Sequence, residues 1–336
     1  MSDAADKALT EDIPAPLNAK VLAICGGVGG AKLALGFYRI LKQDHLTVAI
    51  NTGDDFEHLG LHVSPDIDTV TYTLSGLNDT QRGWGLKDES WNFMTGLGRL
   101  GGETWFNLGD QDMATHVLRT AKMKAGEKLS TITADFAREL GIRAKLLPMS
   151  DDPVRTMVDT SEGELPFQRY FVGRQCEPEI RSIRFSGINA ARPHPAFIKA
   201  LADPELTAIV ICPSNPYLSI DPILALPGLR DALSMAPAPV IAVAPIVGGR
   251  AIKGPTAKIM QELRVPTTVS SIAQHYTSLI DGLIVDNADA ADILSLTVRV
   301  AVTGTVMDSL KDRERLARTV IDFARSLKLE QAVSAR

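Results

Sequence analysis

Cysteine is scarce in this sequence of 336 residues, and its scarcity excludes two kinds of architecture. The three cysteines, Cys25, Cys176 and Cys212, are odd in number and far apart. Such spacing excludes a disulfide framework and is typical of a protein from a reducing compartment. No two of them stand at the spacing of zinc ligands, which argues against a structural zinc site.

Long apolar runs and an excess of basic residues are also missing. The longest apolar runs, at 207–212 and 239–245, are far too short to cross a bilayer. Residues 1–18 are acidic and contain two prolines, so they predict a disordered leader rather than a signal peptide. The net charge of -5 gives no electrostatic reason to expect a nucleic-acid-binding protein. We therefore expect a soluble, cytoplasmic protein that contacts neither membrane nor nucleic acid.

Short apolar segments alternate with amphipathic ones along most of the chain. A continuous apolar run at 21–25 is followed by glycines, then by a helical stripe over 31–42, then by a second apolar run at 46–50. Such a βαβ unit places its two strands parallel to each other. Later runs at 207–212, 239–245, 282–286 and 298–303 repeat the pattern, and a helix is predicted over 309–327. The fold class predicted is α/β, with a doubly wound, mostly parallel, Rossmann-like sheet.

The middle of the chain departs from this alternation. Two helical patterns, at 114–125 and 130–140, follow each other with no strand between them. Residues 145–200 then alternate weakly and carry many prolines and charges. We predict a Rossmann-like core formed by residues 19–144 and 201–330, with 145–200 as an inserted auxiliary region.

A glycine-rich turn, Gly26-Gly27-Val28-Gly29-Gly30, joins the first strand to the first helix. Bare backbone amides beside a helix N-terminus bind phosphate, although the same glycines can simply permit a tight turn. The dinucleotide-binding fingerprint Gly-x-Gly-x-x-Gly would need a glycine at the position of Lys32. A Walker phosphate loop needs Gly-Lys-Ser/Thr, and the sequence here is Ala31-Lys32-Leu33. We expect a phosphate loop of another kind, with Gly27, Val28, Gly29, Gly30 and Lys32 as ligand contacts.

Carboxylates cluster after the second strand. Asp54 and Asp55 end that loop, and Asp66 and Asp68 follow closely in the sequence. Hard oxygen ligands near the end of a strand suit Mg²⁺ bound against phosphates, so Asp54, Asp55 and Asp66 are the predicted metal ligands. Asp66 and Asp68 can equally cap a helix that begins there. No Gly-x-Ser-x-Gly elbow is present, which favours direct displacement at phosphorus over an enzyme nucleophile.

Other candidate contacts lie in loops farther along the chain. Ser214 and Asn215 directly follow an apolar strand, where loops form the crevice of an open α/β sheet. Lys258 follows the next strand and is a candidate source of positive charge for a diphosphate. Trp84, Trp91 and Trp105 are the three tryptophans of the chain; they would either stack on a flat heteroaromatic ligand or anchor the core.

Seven of these motifs, in this order, strongly resemble the 2-phospho-L-lactate transferase family of coenzyme F420 biosynthesis. The resemblance covers about residues 20–325 and rests on the following segments: Gly26-Gly-Val-Gly-Gly-Ala-Lys32, Asn51-Thr-Gly-Asp-Asp55, Pro65-Asp-Ile-Asp-Thr69, Arg82-Gly-Trp-Gly85, Leu108-Gly-Asp-Gln-Asp-Met-Ala-Thr-His116, Leu147-Pro-Met-Ser-Asp-Asp152 and Pro213-Ser-Asn-Pro216.

The resemblance implies a Mg²⁺-dependent enzyme, usually a homodimer, that acts on the deazaflavin Fo. The ribityl hydroxyl of Fo would attack the outer phosphorus of a guanosine-diphospho carboxylic acid, and GMP would leave. Asp68 and Asn107 fall where the family contacts the deazaflavin; the family often has a basic residue in place of Asn107. Asp68 and Asp55 are the predicted catalytic carboxylates, and Trp84 a predicted substrate contact. The alternative is a related glycine-loop family of non-enzymatic regulators that bind nucleotide-sugars.

Overall fold

The computed structural model describes residues 16–42, 44–252 and 254–334. Its strands, in chain order, are β1 Lys20–Cys25, β2 Leu46–Ile50, β3 Phe56–His58, β4 Leu61–Val63, β5 Lys145–Pro148, β6 Arg155–Thr160, β7 Gly163–Pro166, β8 Ile180–Ser186, β9 Leu206–Ile211, β10 Val240–Val243, β11 Ile246–Val247, β12 Arg250–Ala251, β13 Gly282–Val285 and β14 Arg299–Val302.

The helices pack mainly around the strands of one large sheet. In chain order they are α1 Gly27–Ile40, α2 Pro65–Ser75, α3 Asn92–Arg99, α4 Asp112–Lys124, α5 Leu129–Glu139, α6 Pro195–Leu201, α7 Asp221–Leu224, α8 Leu229–Ser234, α9 Thr256–Glu262, α10 Val269–His275 and α11 Leu310–Ser334. Two π-helical turns, Arg169–Gly173 and Pro216–Ile220, lie close to the cavity described below.

Within the described residues, seven strands form a parallel sheet in the order β14-β13-β10-β9-β1-β2-β5. Side chains alternate across β1, so that Val21 and Ala23 face α1 and α11 while Leu22 and Ile24 face the helices of the opposite layer. The sheet is therefore buried on both faces, which explains the continuous apolar runs of its strands. This arrangement confirms the predicted α/β class with a doubly wound, Rossmann-like sheet.

The first helix begins earlier than its apolar stripe suggests. It starts at Gly27 rather than at residue 31, because the glycine-rich turn itself forms the first helical turn. The helices predicted over 114–125, 130–140 and 309–327 are present as α4, α5 and α11. None of the described helices combines the length and the apolar character that crossing a bilayer requires.

The inserted region contains a small antiparallel sheet of its own, in the order β7-β6-β8. The predicted boundary at residue 145 is too early, because residues 145–148 form β5, which pairs in parallel with β2. The boundary at 200 is too late, because Phe197 and Leu201 of α6 pack into the core beneath the large sheet. Apolar alternation around these boundaries was too weak for either limit to be set from sequence.

The predicted leader 1–18 lies mostly outside the described residues, since the description starts at residue 16. The prediction of disorder is wrong for Leu17, near the end of that stretch. It forms a parallel bridge with Leu41, and its amide donates to the carbonyl oxygen of Ile40 at 2.7 Å.

Candidate active site

A cavity of about 550 Å³ opens at the carboxyl ends of β1 and β9. These neighbouring strands mark the point where the sheet order reverses, since β2 lies on one side of β1 and β9 on the other. Ligands of open α/β sheets bind at this switch point. The cavity is lined by most of the predicted site residues, namely Gly27, Val28, Gly29, Lys32, Asp54, Asp66, Asp68, Trp84, Asn107, Ser214 and Asn215.

The glycine loop forms one wall of this cavity. The amide of Gly27, which has φ 62°, donates to Asp66 Oδ1 at 2.6 Å. In the first turn of an α-helix the next amides, those of Val28 and Gly29, have no carbonyl of the helix to bond to. The amides of these two residues, together with the positive end of the helix dipole, are therefore suited to bind an anion.

Close packing explains two other glycines of this loop. A Cβ on Gly29 would lie 2.3 Å from the carbonyl oxygen of Pro213, and a Cβ on Gly30 would lie 2.5 Å from Cys25 Cβ. Gly30 is buried and does not line the cavity, contrary to its predicted role as a ligand contact. Its role is steric, because it allows the loop after β9 to approach the loop after β1.

Ser214 joins these two loops. Its hydroxyl donates to the carbonyl oxygen of Gly26 at 2.7 Å and accepts from the Gly26 amide at 3.2 Å. Asn215 Oδ1 accepts from the amides of Tyr217 and Leu218, which begins the π-helical turn. Asn215 Nδ2 is buried without a hydrogen-bond partner among the described residues, and the residue lines the cavity. It is an available donor for a ligand.

Asp66 bridges the two loops at the ends of β1 and β2. Its Oδ2 accepts from Asn51 Nδ2 at 2.9 Å, while its Oδ1 accepts from Gly27 as described above. Neither Asp66 nor Asp68 caps its own helix α2 through a side-chain hydrogen bond. Burial raises the pKa of Asp66 to about 6, against the opposing effect of the hydrogen bonds from Asn51 and Gly27.

The three predicted metal ligands do not form one cluster. No group of three histidine, cysteine, aspartate or glutamate side chains suited to a metal ion occurs in the part of the chain that the structure describes. Asp55 does not line the cavity, and its Oδ2 instead contacts His62 Nε2 at 3.1 Å and accepts from Ser64 Oγ at 2.9 Å. The prediction that Asp55 is a metal ligand and a catalytic residue is therefore not supported by its orientation.

Two of the three predicted metal ligands, Asp54 and Asp66, do line the cavity. Asp54 Oδ1 is buried and has no hydrogen-bond partner within the described part of the chain. Burial raises the pKa of the Asp54 carboxyl well above its ordinary value, and the neighbouring charge of Asp66 raises it further. Mg²⁺ is usually held by one or two carboxylates together with substrate phosphates and water, so this donor set fits that ion.

Asp68 also lines the cavity, and its carboxylate forms a buried ion pair. Arg119 donates to both of its oxygens, with Nη1 3.1 Å from Oδ2 and Nη2 bonded to Oδ1. His116 lies between two carboxylates, 3.8 Å from Asp68 Oδ2 and 3.3 Å from Asp112 Oδ2. Tyr72 donates its hydroxyl to Asp112 Oδ1 at 2.6 Å. Burial raises the pKa of Asp68, although Arg119 and His116 oppose the increase.

Three residues of α4 at this site, Asp112, His116 and Arg119, had no role predicted from the sequence. Their spacing of four and three residues places them on one face of α4, and that helical periodicity was the signal that would have grouped them. Asp112 and His116 also line the cavity. Arg119 is only 1% exposed, which is rare for arginine and requires a partner such as Asp68.

Aromatic side chains complete the cavity in two places. Trp84 is 43% exposed and lines the cavity, and the Arg82 guanidinium lies 5.3 Å from its ring and 4.9 Å from the ring of Trp91. Phe167 and Phe171, from the inserted region, stack on each other with centroids 5.3 Å apart and also line the cavity. Trp84 is thus the tryptophan available to a ligand.

Lys258 does not lie where its predicted role requires. It does not line the cavity, and its ammonium group forms an ion pair with Glu262 and donates to Tyr170 Oη at 3.3 Å. The lysine lies one turn before Glu262 on α9, so the helix directs both side chains to the same place. Lys258 stabilises the packing of α9 against the inserted region instead of contacting a diphosphate.

Comparison with known proteins points to one family. The sequence profile described as 2-phospho-L-lactate transferase CofD matches residues 21–322. The chain is 36% identical to a phosphoenolpyruvate transferase of Kitasatospora aureofaciens, covering 92% of this chain and 99% of that protein. It is 35% identical to a 2-phospho-L-lactate transferase of Methanosarcina mazei, covering 90% of this chain and 99% of that protein.

The fold of the chain is also similar to that of a solved structure. A crystal structure of a member of the UPF0052 family from Bacillus halodurans superposes with a TM-score of 0.61 at 14% identity, covering 91% of this chain and 99% of that chain. At this identity the comparison concerns the Rossmann-like architecture alone.

Proposed function

Because the chain belongs to the 2-phospho-L-lactate transferase CofD family, we propose that it transfers a phospho-carboxylate to the deazaflavin Fo. The donor is a guanosine-diphospho carboxylic acid carrying phospholactate, phosphoenolpyruvate or phosphoglycerate. The ribityl hydroxyl of Fo attacks the outer phosphorus, GMP leaves, and the product is a precursor of coenzyme F420. The homodimer implied by the resemblance and the cytoplasmic location expected from the composition stay predictions.

One observation carries this proposal: a single cavity joins an anion-binding loop to a buried carboxylate. The amides of Val28 and Gly29, in the first turn of α1, and Asn215 Nδ2, which has no partner among the described residues, supply donors for the diphosphate and its nucleoside. Asp68 lies on the same cavity, held by Arg119. A donor bound on the loop and an acceptor bound near Asp68 would therefore meet inside this cavity.

The acceptor end of the cavity suits a flat molecule with a hydroxylated chain. Trp84 offers an exposed ring face, and Asn107 an exposed amide. In our proposal Asp68 accepts a hydrogen bond from the attacking hydroxyl and takes its proton as the new oxygen–phosphorus bond forms. The bond between the outer phosphorus and the GMP oxygen breaks in the same displacement, and GMP carries away the electron pair.

Asp54 and Asp66 are the residues that would hold Mg²⁺. The ion would supply charge neutralisation for the diphosphate, whose non-bridging oxygens share the negative charge of the two phosphorus centres. Asp66 also bonds Asn51 and Gly27, so these contacts fix one carboxylate beside the glycine loop. Asp54 Oδ1 accepts no hydrogen bond from any residue that the structure describes, so it is available to a cation.

The non-enzymatic alternative has less support. The relatives with at least 34% identity over at least 90% of this chain bear the names of transferases. A regulator that binds nucleotide-sugars has no use for the Asp68 end of the cavity or for an exposed Trp84.

The direct test is transfer itself. Purified protein incubated with Mg²⁺, Fo and each of the three guanosine-diphospho donors should yield a product whose mass exceeds that of Fo by one phospho-acid unit, together with GMP. Mass spectrometry of each reaction identifies which three-carbon acid is preferred. Absence of product with all three donors, with Fo fluorescence unchanged on titration of the protein, would overturn the proposed function.

Removal of the metal tests the roles of Asp54 and Asp66. Excess EDTA should abolish transfer, and added Mg²⁺ should restore it. Asp54→Asn should raise the Mg²⁺ concentration that gives half-maximal rate by about 10- to 100-fold, since even outer-shell changes at metal sites cost this much. Asp55→Asn is the matched control and should leave the Mg²⁺ requirement unchanged, because Asp55 does not line the cavity and its Oδ2 contacts Ser64 and His62. Equal Mg²⁺ requirements in the two variants would contradict the assignment.

A further inference from the structure

A second, smaller cavity of about 200 Å³ adjoins the first behind the glycine loop. We call it the side pocket. It shares Val28, Lys32 and Trp84 with the large cavity and adds Asp308 and Arg313 from the C-terminal part of the chain. The proposed reaction, as described so far, makes no use of it.

Arg313 is the unexplained group in this pocket. Its Nε is buried without a hydrogen-bond partner, and its guanidinium forms no ion pair with another described residue. Burial lowers the pKa of the guanidinium, against the opposing effect of Asp312. A partly buried cation without such a contact is costly, and an anionic ligand is the usual compensation.

Backbone packing fixes Arg313 against α1, the helix that begins with the glycine loop. A Cβ on Gly36 would lie 2.2 Å from the carbonyl oxygen of Arg313, so α11 touches the helix that begins with the glycine loop. On the same helix, one turn before Gly36, Lys32 Nζ donates to the carbonyl oxygen of Met307 at 2.9 Å. Two cations thus face the side pocket against the single exposed carboxylate of Asp308.

We infer that the side pocket binds the carboxylate of the short acid esterified to the outer phosphate, and that Arg313 is its main partner. Val28 borders both cavities, so a diphosphate on the loop would extend its acid directly into the pocket. The pocket is large enough for a three-carbon acid, whereas the three-ring deazaflavin needs the larger cavity. This inference rests on the proposed function and deepens it, because it names the residue that recognises the transferred group.

Arg313→Gln tests the inference in the full-length protein. The variant should raise KM for the guanosine-diphospho donor by about 10- to 100-fold, the effect of losing a charge-assisted hydrogen bond. The dissociation constant for GDP, which has the diphosphate and lacks the acid, should stay within about twofold of wild type. Arg325→Gln is the matched control, since Arg325 lies on the same helix with 45% of its side chain exposed and should change neither value. Thermal melting of each variant establishes that it is folded.

A donor analogue with a carboxamide in place of the carboxylate makes the test specific. Wild type should prefer the acid to the amide, and Arg313→Gln should lose that preference, while Arg313→Lys should keep part of it. If Arg313→Gln weakened the binding of the donor and of GDP equally, the inference would be overturned, because Arg313 would then contact the diphosphate. Unchanged donor KM in an active Arg313→Gln protein would also overturn it. Failure of the proposed function is distinct, since wild type itself would then give no transfer.

Discussion

Replacement of Asp68 with asparagine is expected to lower turnover by about 10²–10⁴-fold, the usual contribution of a general base. Asparagine keeps the shape of the side chain but cannot take the proton of the attacking hydroxyl. Binding of GDP should survive, because the proposed donors to the nucleotide are the amides of the glycine loop and Asn215 Nδ2, which the substitution leaves in place. Single-turnover assays with Fo and the donor, together with calorimetric titration of GDP, measure the two effects separately.

The buried partner of Asp68 requires a control for stability. Asp68→Asn leaves Arg119 without its counter-charge, and breaking a buried ion pair costs about 3–5 kcal/mol of unfolding free energy. Assays must therefore be run well below the melting temperature of the variant. Arg119→Lys keeps the carboxylate of Asp68 but loses the bidentate ion pair, so this variant should retain more activity than Asp68→Asn. Near-normal turnover of folded Asp68→Asn would exclude Asp68 as the proton acceptor.

Replacement of Gly29 with alanine should have a comparably large effect through geometry alone. The added methyl group would lie 2.3 Å from the backbone oxygen of Pro213, which no rotation of a side chain can relieve. The loops after β1 and β9 must therefore move apart, and displacement of about 1 Å in a catalytic site can cost about 10²-fold in rate. We expect a loss of about that size in kcat/KM, with weakened GDP binding.

A second glycine of the chain provides the matched control. Gly96 lies in α3, where an added Cβ meets nothing within 4 Å. Gly96→Ala should leave GDP binding unchanged and raise stability slightly, because alanine favours a helix over glycine by about 1 kcal/mol. If Gly29→Ala bound GDP as tightly as Gly96→Ala does, the close contact of the two loops would have no role in the site.

The sequence predicted the sheet and the loops of the site well because both depend on local signals. Continuous apolar runs give buried parallel strands, and a glycine turn after the first strand gives an anion-binding helix start. The switch point follows from these two facts and from right-handed crossovers. Ser214 and Asn215 were found for the same reason, since they follow a strand that ends at that point.

Side-chain direction was the part that local signals did not determine. Asp54 and Asp55 are adjacent, yet Asp54 lines the cavity and Asp55 contacts His62 and Ser64. Adjacent residues of a loop diverge according to backbone angles that no periodicity encodes. Lys258 was misassigned for a related reason, because its ion pair with Glu262 turns it toward the inserted region.

Long-range partners were also beyond sequence reasoning. Arg119 reaches Asp68 across 51 positions of sequence, and Arg313 reaches the side pocket from the last long helix. A single sequence contains no distance between such positions. Only helical spacing within α4 offered a partial clue, by grouping Asp112, His116 and Arg119 on one face.

The hydrogen bonds between Ser214 and Gly26 have a consequence for the order in which the site is made. These residues are 188 positions apart, and they join the two walls of the large cavity. During synthesis the glycine loop leaves the ribosome early, but its opposite wall follows only after more than half of the chain has been translated. The nascent polypeptide therefore cannot hold a nucleotide until β9 docks beside β1, so capture of the ligand reports that these two strands at the centre of the sheet have paired.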